Sequence, residues 1–112
     1  MGKVNQEKTF DALAIRDTSN HDGATINNFD FQLKTIIIEN GLNQIVTLQC
    51  QASAHANFDN PIDIGSPFDV AANTNSYQTQ DAFFPYMRVK AICVTAPTTG
   101  TLTIHFIQYA EG

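Results

Sequence analysis

Tyr86-Met87-Arg88-Val89-Lys90-Ala91-Ile92-Cys93-Val94 and Thr101-Leu102-Thr103-Ile104-His105-Phe106-Ile107-Gln108-Tyr109, joined across Ala96-Pro97-Thr98-Thr99-Gly100, decide the fold class. Each run alternates with the period of two that belongs to a β-strand with one buried face. Met87, Val89, Ala91 and Cys93, with Leu102, Ile104 and Phe106, make the side expected to face the core; Arg88, Lys90, Thr101, Thr103 and His105 make the other. Pro97 at a first turn corner and Gly100 at a left-handed position predict a four-residue loop. The expectation is a hairpin in which Ala96 pairs with Thr101, Cys93 faces Ile104 and Ala91 faces Phe106. In that register Ile92 lies opposite His105 on the outer face, which also carries Val94, Ile107 and Tyr109.

Asn40-Gly41 repeats this logic, because the dipeptide is a strong signal for a two-residue type I′ turn. It predicts a second hairpin with Glu39 opposite Leu42, Thr35 opposite Val46, Leu33 opposite Leu48, Phe31 opposite Cys50 and Phe29 opposite Ala52. Ile36, Ile38 and Ile45 then project from the outer face near the tip, where they either lie under another element or form an exposed apolar patch. The expected core is Phe29, Phe31, Leu33, Val46, Leu48, Cys50, Val89, Ala91, Cys93, Leu102, Ile104 and Phe106.

The remaining segments are shorter and polar. Residues 1–8 contain little to bury and read as an N-terminal arm, with the folded domain spanning 9–112. Thr9–Arg16 reads as a strand. Asp17–Ala24 is a loop by composition; Thr18, Asn20, Asp22 and Gly23 sit like the start of a calcium loop, but Phe29 stands where the bidentate Glu belongs, and turn-closing side chains account for the segment better. Residues 51–76 break into two or three short strands around Pro61, Gly65 and Pro67, and Tyr77–Asp81 reads as an edge strand. Asp59, Asp63 and Asp69 read as solvated turn carboxylates.

At 112 residues the chain accommodates one domain with a real core. Its 6 Lys and Arg against 11 Asp and Glu give a net charge of -5 without a run of either sign, which argues against a nucleic-acid partner. No run of about 20 apolar residues exists to span a membrane as a helix, and the first residues lack the apolar centre of an export signal. Cys50 and Cys93 occupy inward strand positions and read as two buried thiols, although a disulfide between facing strands stays open. His21, His55 and His105 show no metal-ligand or catalytic spacing, and no phosphate-cradling glycine motif exists. An enzyme is not expected, nor a cofactor or metal. A carbohydrate-binding sandwich is the alternative, with Tyr77, Tyr86 and Tyr109 as its only candidate platform and no Trp to strengthen it.

Phe84-Pro85-Tyr86-Met87-Arg88-Val89 followed by Ala96-Pro97-Thr98-Thr99-Gly100-Thr101-Leu102-Thr103-Ile104 resembles the last hairpin of small β-sandwich virion proteins of phages and prophages. Gly41-Leu42-Asn43-Gln44-Ile45-Val46-Thr47-Leu48-Gln49 is similar to a central strand of the same group. The resemblance covers about a third of the chain. It implies a capsid decoration, head-fibre or tail-accessory subunit, assembled in the bacterial cytoplasm, that binds a capsid or tail lattice; it brings no functional residues with it. The expectation is an all-β antiparallel sandwich of about eight strands, jelly-roll or Greek-key like. It would work as a homo-oligomer or with other virion proteins through Ile92, Val94, His105, Ile107, Tyr109, Ile36, Ile38 and Ile45.

Overall fold

A computed structural model describes residues 3–28, 31, 33–80 and 84–110. They form nine strands: β1 (Lys3–Leu13), β2 (His21–Asp22), β3 (Ile26–Asn27), β4 (Leu33–Asn40), β5 (Val46–Ser53), β6 (Ile62–Val70), β7 (Thr74–Gln80), β8 (Tyr86–Ile92) and β9 (Leu102–Ala110). Two antiparallel sheets pack face to face. Sheet A has the order β1-β9-β4-β7, and sheet B the order β2-β8-β5-β6 with β3 also on β8. Counting β2 and β3 as one interrupted strand, first pairs with last, second with second-last, and so on to the adjacent β5 and β6. The chain is one long two-stranded ribbon wrapped around a core, as in a jelly roll.

That nesting corrects both expected hairpins. β8 and β9 lie in different sheets, and each already has two neighbours: β8 sits between β2/β3 and β5, while β9 sits between β1 and β4. His105 therefore lies opposite Lys8 and Ile37, not Ile92. β4 and β5 also separate, with residues 41–45 carrying the chain between sheets. The inward faces of β5, β8 and β9 survive the correction, because Val46, Leu48, Cys50, Val89, Ala91, Cys93, Leu102, Ile104 and Phe106 are buried.

The inward face of β4 does not survive. A two-residue turn would tie the parity of β4 to that of β5, and the five-residue crossing releases it. Ile36 and Ile38 are 1% and 0% exposed and belong to the core, so neither can meet a partner in the folded chain, while Leu33, expected inside, is 52% exposed. Phe31 is buried as expected; Phe29 lies outside the described residues. Residues 3–8 are not a separate arm but the regular half of β1, paired with β9 from Lys3↔Ala110 to Lys8↔His105. Beyond Lys8 the register slips twice, and Thr9 and Phe10 are both buried. The bulged Thr9 hydroxyl donates to the carbonyl of Ala24 (2.8 Å), and the Thr9 carbonyl accepts from the Ala24 N–H (2.7 Å), stitching the edge of sheet A to that of sheet B.

At one end of the sandwich the two crossings pack on each other. Gly41 N–H donates to Thr101 O (2.9 Å), and the Asn43 side chain bonds the backbone and hydroxyl of Thr98 (3.0 and 2.7 Å). Asn40, 1% exposed, turns inward beneath them. Its Nδ2 reaches the carbonyls of Gln44, Val70 and Ala71 at 3.0–3.2 Å, and its Oδ1 accepts from Leu42 N–H (3.1 Å). One amide thus satisfies backbone groups that a turn inside a sandwich would otherwise strand. Further along the same strand pair, Lys34 and Gln108 also turn inward, and the Gln108 and Asn28 side chains are fully buried without hydrogen-bond partners among the described residues.

Gly100 has φ +88° and lies so close to Gly41 that a Cβ would overlap the Gly41 carbonyl; Gly65, at φ +70°, has open space around it. Gly65→Ala is expected to cost only the left-handed strain, about 1–2 kcal/mol, whereas Gly100→Ala adds overpacking and should cost about 3 kcal/mol or more. Asn40→Ala should cost about 2–4 kcal/mol through its stranded carbonyls and lost packing. Urea unfolding of the three variants measures the order.

Candidate protein-binding surface

The outer faces of the two sheets differ in chemistry. On sheet B, Arg88 Nε donates to Gln51 Oε1 (3.1 Å), and Gln51 Nε2 donates to Asp63 (3.0 Å). The Arg88 guanidinium also lies 3.7 Å from Asp22 and 4.2 Å from the centre of the Phe58 ring. Thr47 donates to Asp69 at 2.6 Å. This face is a network of paired polar groups, and two of the three aspartates read as solvated are tied to neighbouring strands.

Sheet A presents an apolar surface instead. Residues paired across neighbouring strands share a face, so the register lines up Val4, Tyr109 and Leu33 in one row, Gln6, Ile107, Thr35 and Thr79 in the next, and Lys8, His105, Ile37 and Tyr77 in a third. Val4 and Tyr77 are each 68% exposed, and Leu33 and Tyr109 are also open to solvent; Ile107 and Ile37 are half-buried between them. Four strands thus carry a run of six large apolar side chains, bordered on one side by a polar line. In that line Gln6 lies 3.4 Å from His105 Nδ1, and His105 Nε2 lies 2.6 Å from Glu39. The Nε2–H tautomer satisfies both contacts, donating to Glu39 while Nδ1 accepts from Gln6.

The expected interface residues therefore divide. His105, Ile107 and Tyr109 lie on the sheet A face. Ile92 is on the outer face of sheet B beside Thr47, while Ile45 and Val94, each in one of the crossings, line a common depression. Ile36 and Ile38 are core. Val4, Leu33, Ile37 and Tyr77 complete the patch and escaped the sequence reading: Leu33 and Ile37 needed the true parity of β4, and Val4 and Tyr77 the pairing of β1 and β7. Of the three tyrosines read as a candidate aromatic platform, Tyr77 and Tyr109 share the outer face of sheet A, while Tyr86 stands on sheet B.

Other groups with chemical potential are engaged locally. Asp17 accepts from His21 Nε2 (2.9 Å), the Ser19 hydroxyl (2.8 Å) and the Ser19 N–H (3.1 Å); these bonds, that of His21 foremost, hold its carboxyl below the usual value of 3.8. The stability they contribute is present above that value and is lost as pH falls through the lower folded one. Asn20 donates to Asp22 (3.0 Å), so the loop with calcium-like spacing closes on itself. No group of three or more His, Cys, Asp and Glu converges among the described residues. A cleft of about 250 Å³ between Ala52, Ile62, Phe84 and Pro85 is lined, among the described residues, by no titratable side chain.

Cys50 and Cys93 are free thiols and both are buried. Burial pushes Cys50 up to about 11 from 9.0 and raises Cys93 in the same direction. The stabilisation by the neutral Cys50 thiol is therefore full below about 9 and fades as pH rises through about 11. Neither thiol should react with an aromatic disulfide reagent at pH 8 in the native protein, and both should react at once in denaturant; fast native labelling would contradict the packing.

No protein-family model matches the chain, and no curated protein is detectably similar to it in sequence. Solved structures share its fold. PBSX exported protein XepA superposes with a TM-score of 0.72 at 12% identity over 96% of this chain, which spans 37% of that protein's length. SPBc2 prophage-derived protein YomS superposes at 0.67 with 14% identity, over 98% of this chain and 96% of its own. The coat protein of Tobacco streak virus does so at 0.59 with 11% identity, over 98% and 85% respectively. The chain has the β-sandwich fold found in prophage-derived and viral coat proteins.

Proposed function

We propose that this protein is a non-enzymatic structural subunit of a phage-type particle, acting through protein–protein contacts. One observation carries the reading: the described residues build a buried core within the monomer, yet sheet A leaves Val4, Leu33, Ile37, Tyr77, Ile107 and Tyr109 side by side on its outer face. A solvated sheet face normally alternates to polar residues, and contiguous apolar patches mark places where another surface docks. The sheet A face is the contact surface; the charged network on sheet B points to solvent. Fold-sharing with prophage-derived and coat proteins supports the setting. Within it the chain serves as a decoration, head-fibre or tail-accessory subunit in the virion, with like subunits or other virion proteins as partners.

Leu33→Asp with Tyr109→Ser is expected to lower the association state seen by light scattering while leaving the far-ultraviolet circular dichroism and unfolding midpoint near wild type. Ile38→Asp should instead prevent folding, since it places an unpaired charge in a dry core. A wild type that remains monomeric at millimolar concentration and binds no particle would refute the reading.

A further inference from the structure

We propose that β7 is a self-docking edge, at which two copies pair β7 to β7 antiparallel about a twofold axis through Tyr77 and merge their A sheets into one. The inference deepens the assembly reading above and rests on it. A sheet edge presents unpaired backbone groups that invite another strand, and proteins normally guard such edges with charge, proline, bulges or shortness.

Three of the edges here are guarded. β1 carries Lys3, Glu7, Lys8 and Asp11 and slips register twice. β6 carries Asp63, Pro67 and Asp69, a left-handed Gly65 and its own register shift against β5. β2 and β3 are two residues each. β7, Thr74-Asn75-Ser76-Tyr77-Gln78-Thr79-Gln80, has no charge, proline or glycine, and all seven residues pair with β4 without a break. It is the long, flat, unguarded edge among the described residues.

The same composition selects the occupant. Twofold pairing brings a strand against its own residues, so a net charge would repel itself; β7 has none to repel. Tyr77 is the midpoint of Thr74–Gln80, and an axis through it overlaps the whole strand. Tyr77 then meets the partner's Tyr77, and Thr79 meets the partner's Asn75. Hydroxyl and amide side chains face one another, and the two exposed rings join the Ile37–Tyr77 rows of both copies into one apolar surface.

The experiment uses the full chain. Tyr77→Cys under mild oxidation should give a reducible dimer as the main product, since directly opposed residues on paired strands lie within disulfide reach. Val94→Cys, 84% exposed at the crossings, should not. Asn75→Lys/Thr79→Lys places like charges across the axis and should raise the dimer dissociation constant about tenfold or more, whereas Asn75→Lys/Thr79→Glu places opposite charges there and should stay near wild type. Both positions are exposed, so thermal midpoints measured at concentrations where the chain is monomeric should be unchanged. Tyr77→Cys crosslinking no better than Val94→Cys, or two double variants that behave alike, would overturn the inference. If the wild type still assembles in that case, the assembly reading stands through another surface; a wild type that never assembles refutes both.

Discussion

The contact on which the rest of the structure depends is the packing of the 41–45 crossing against the 93–101 crossing, where Gly100 lies against the Gly41 carbonyl and Asn40 satisfies the backbone beneath. Both segments carry the chain from one sheet to the other. The crossings themselves are largely at the surface, but the peptide groups buried beneath them must find a partner or cost free energy. The Asn40 amide does this for the β4–β5 crossing and for Val70 and Ala71 at the end of β6 at once. On the other crossing Arg16 adds a solvent-exposed bond, donating to the Gly100 carbonyl at 3.0 Å. The end of the sandwich is thereby closed by hydrogen bonds rather than by apolar contact alone.

Once the crossings are fixed, nested pairing follows. With β4 and β5 on opposite sheets, β9 is free to lie between β1 and β4, and β8 between β2/β3 and β5. Each inner strand then has two neighbours, and the edges fall to β1, β7, β6 and the β2/β3 pair. The same arrangement separates chemistry by face. Sheet B gathers Asp22, Arg88, Gln51 and Asp63 into a paired network, and sheet A collects apolar residues from four distant parts of the chain. Neither surface exists in any one segment.

Much of the fold is legible in the sequence. Alternation identified β4, β5, β8 and β9, and the inward faces of β5, β8 and β9 are as the pattern requires; β2 and β3, two residues each, and the first half of β1 carried no such signal. Asn40-Gly41 and Pro97–Gly100 did mark chain reversals. What failed was the inference that each reversal joins two strands of one sheet, and with it the parity of β4, so that Ile36 and Ile38 were placed outside and Leu33 inside. Of the apolar face of sheet A, only His105, Ile107 and Tyr109 were visible, because β9 is the one strand of that sheet whose outer face the alternation assigned correctly.

The sequence by itself determined that the chain is all-β, which residues of most strands face inward, that its thiols belong to apolar positions, and that no motif for catalysis or metal binding stands out. Tertiary structure decided which strands are neighbours. Period-two alternation records only whether a side chain points inward, and it reads the same in a hairpin within one sheet and in a crossing between two, since both leave the apolar side facing the core. Partner choice is set by contacts distant in sequence: the Asn40 bonds to Val70 and Ala71, the approach of Gly100 to Gly41, and the pairing of β1 with β9. The apolar face of sheet A and the unguarded edge at β7 are consequences of that choice, and so only the folded chain displays them.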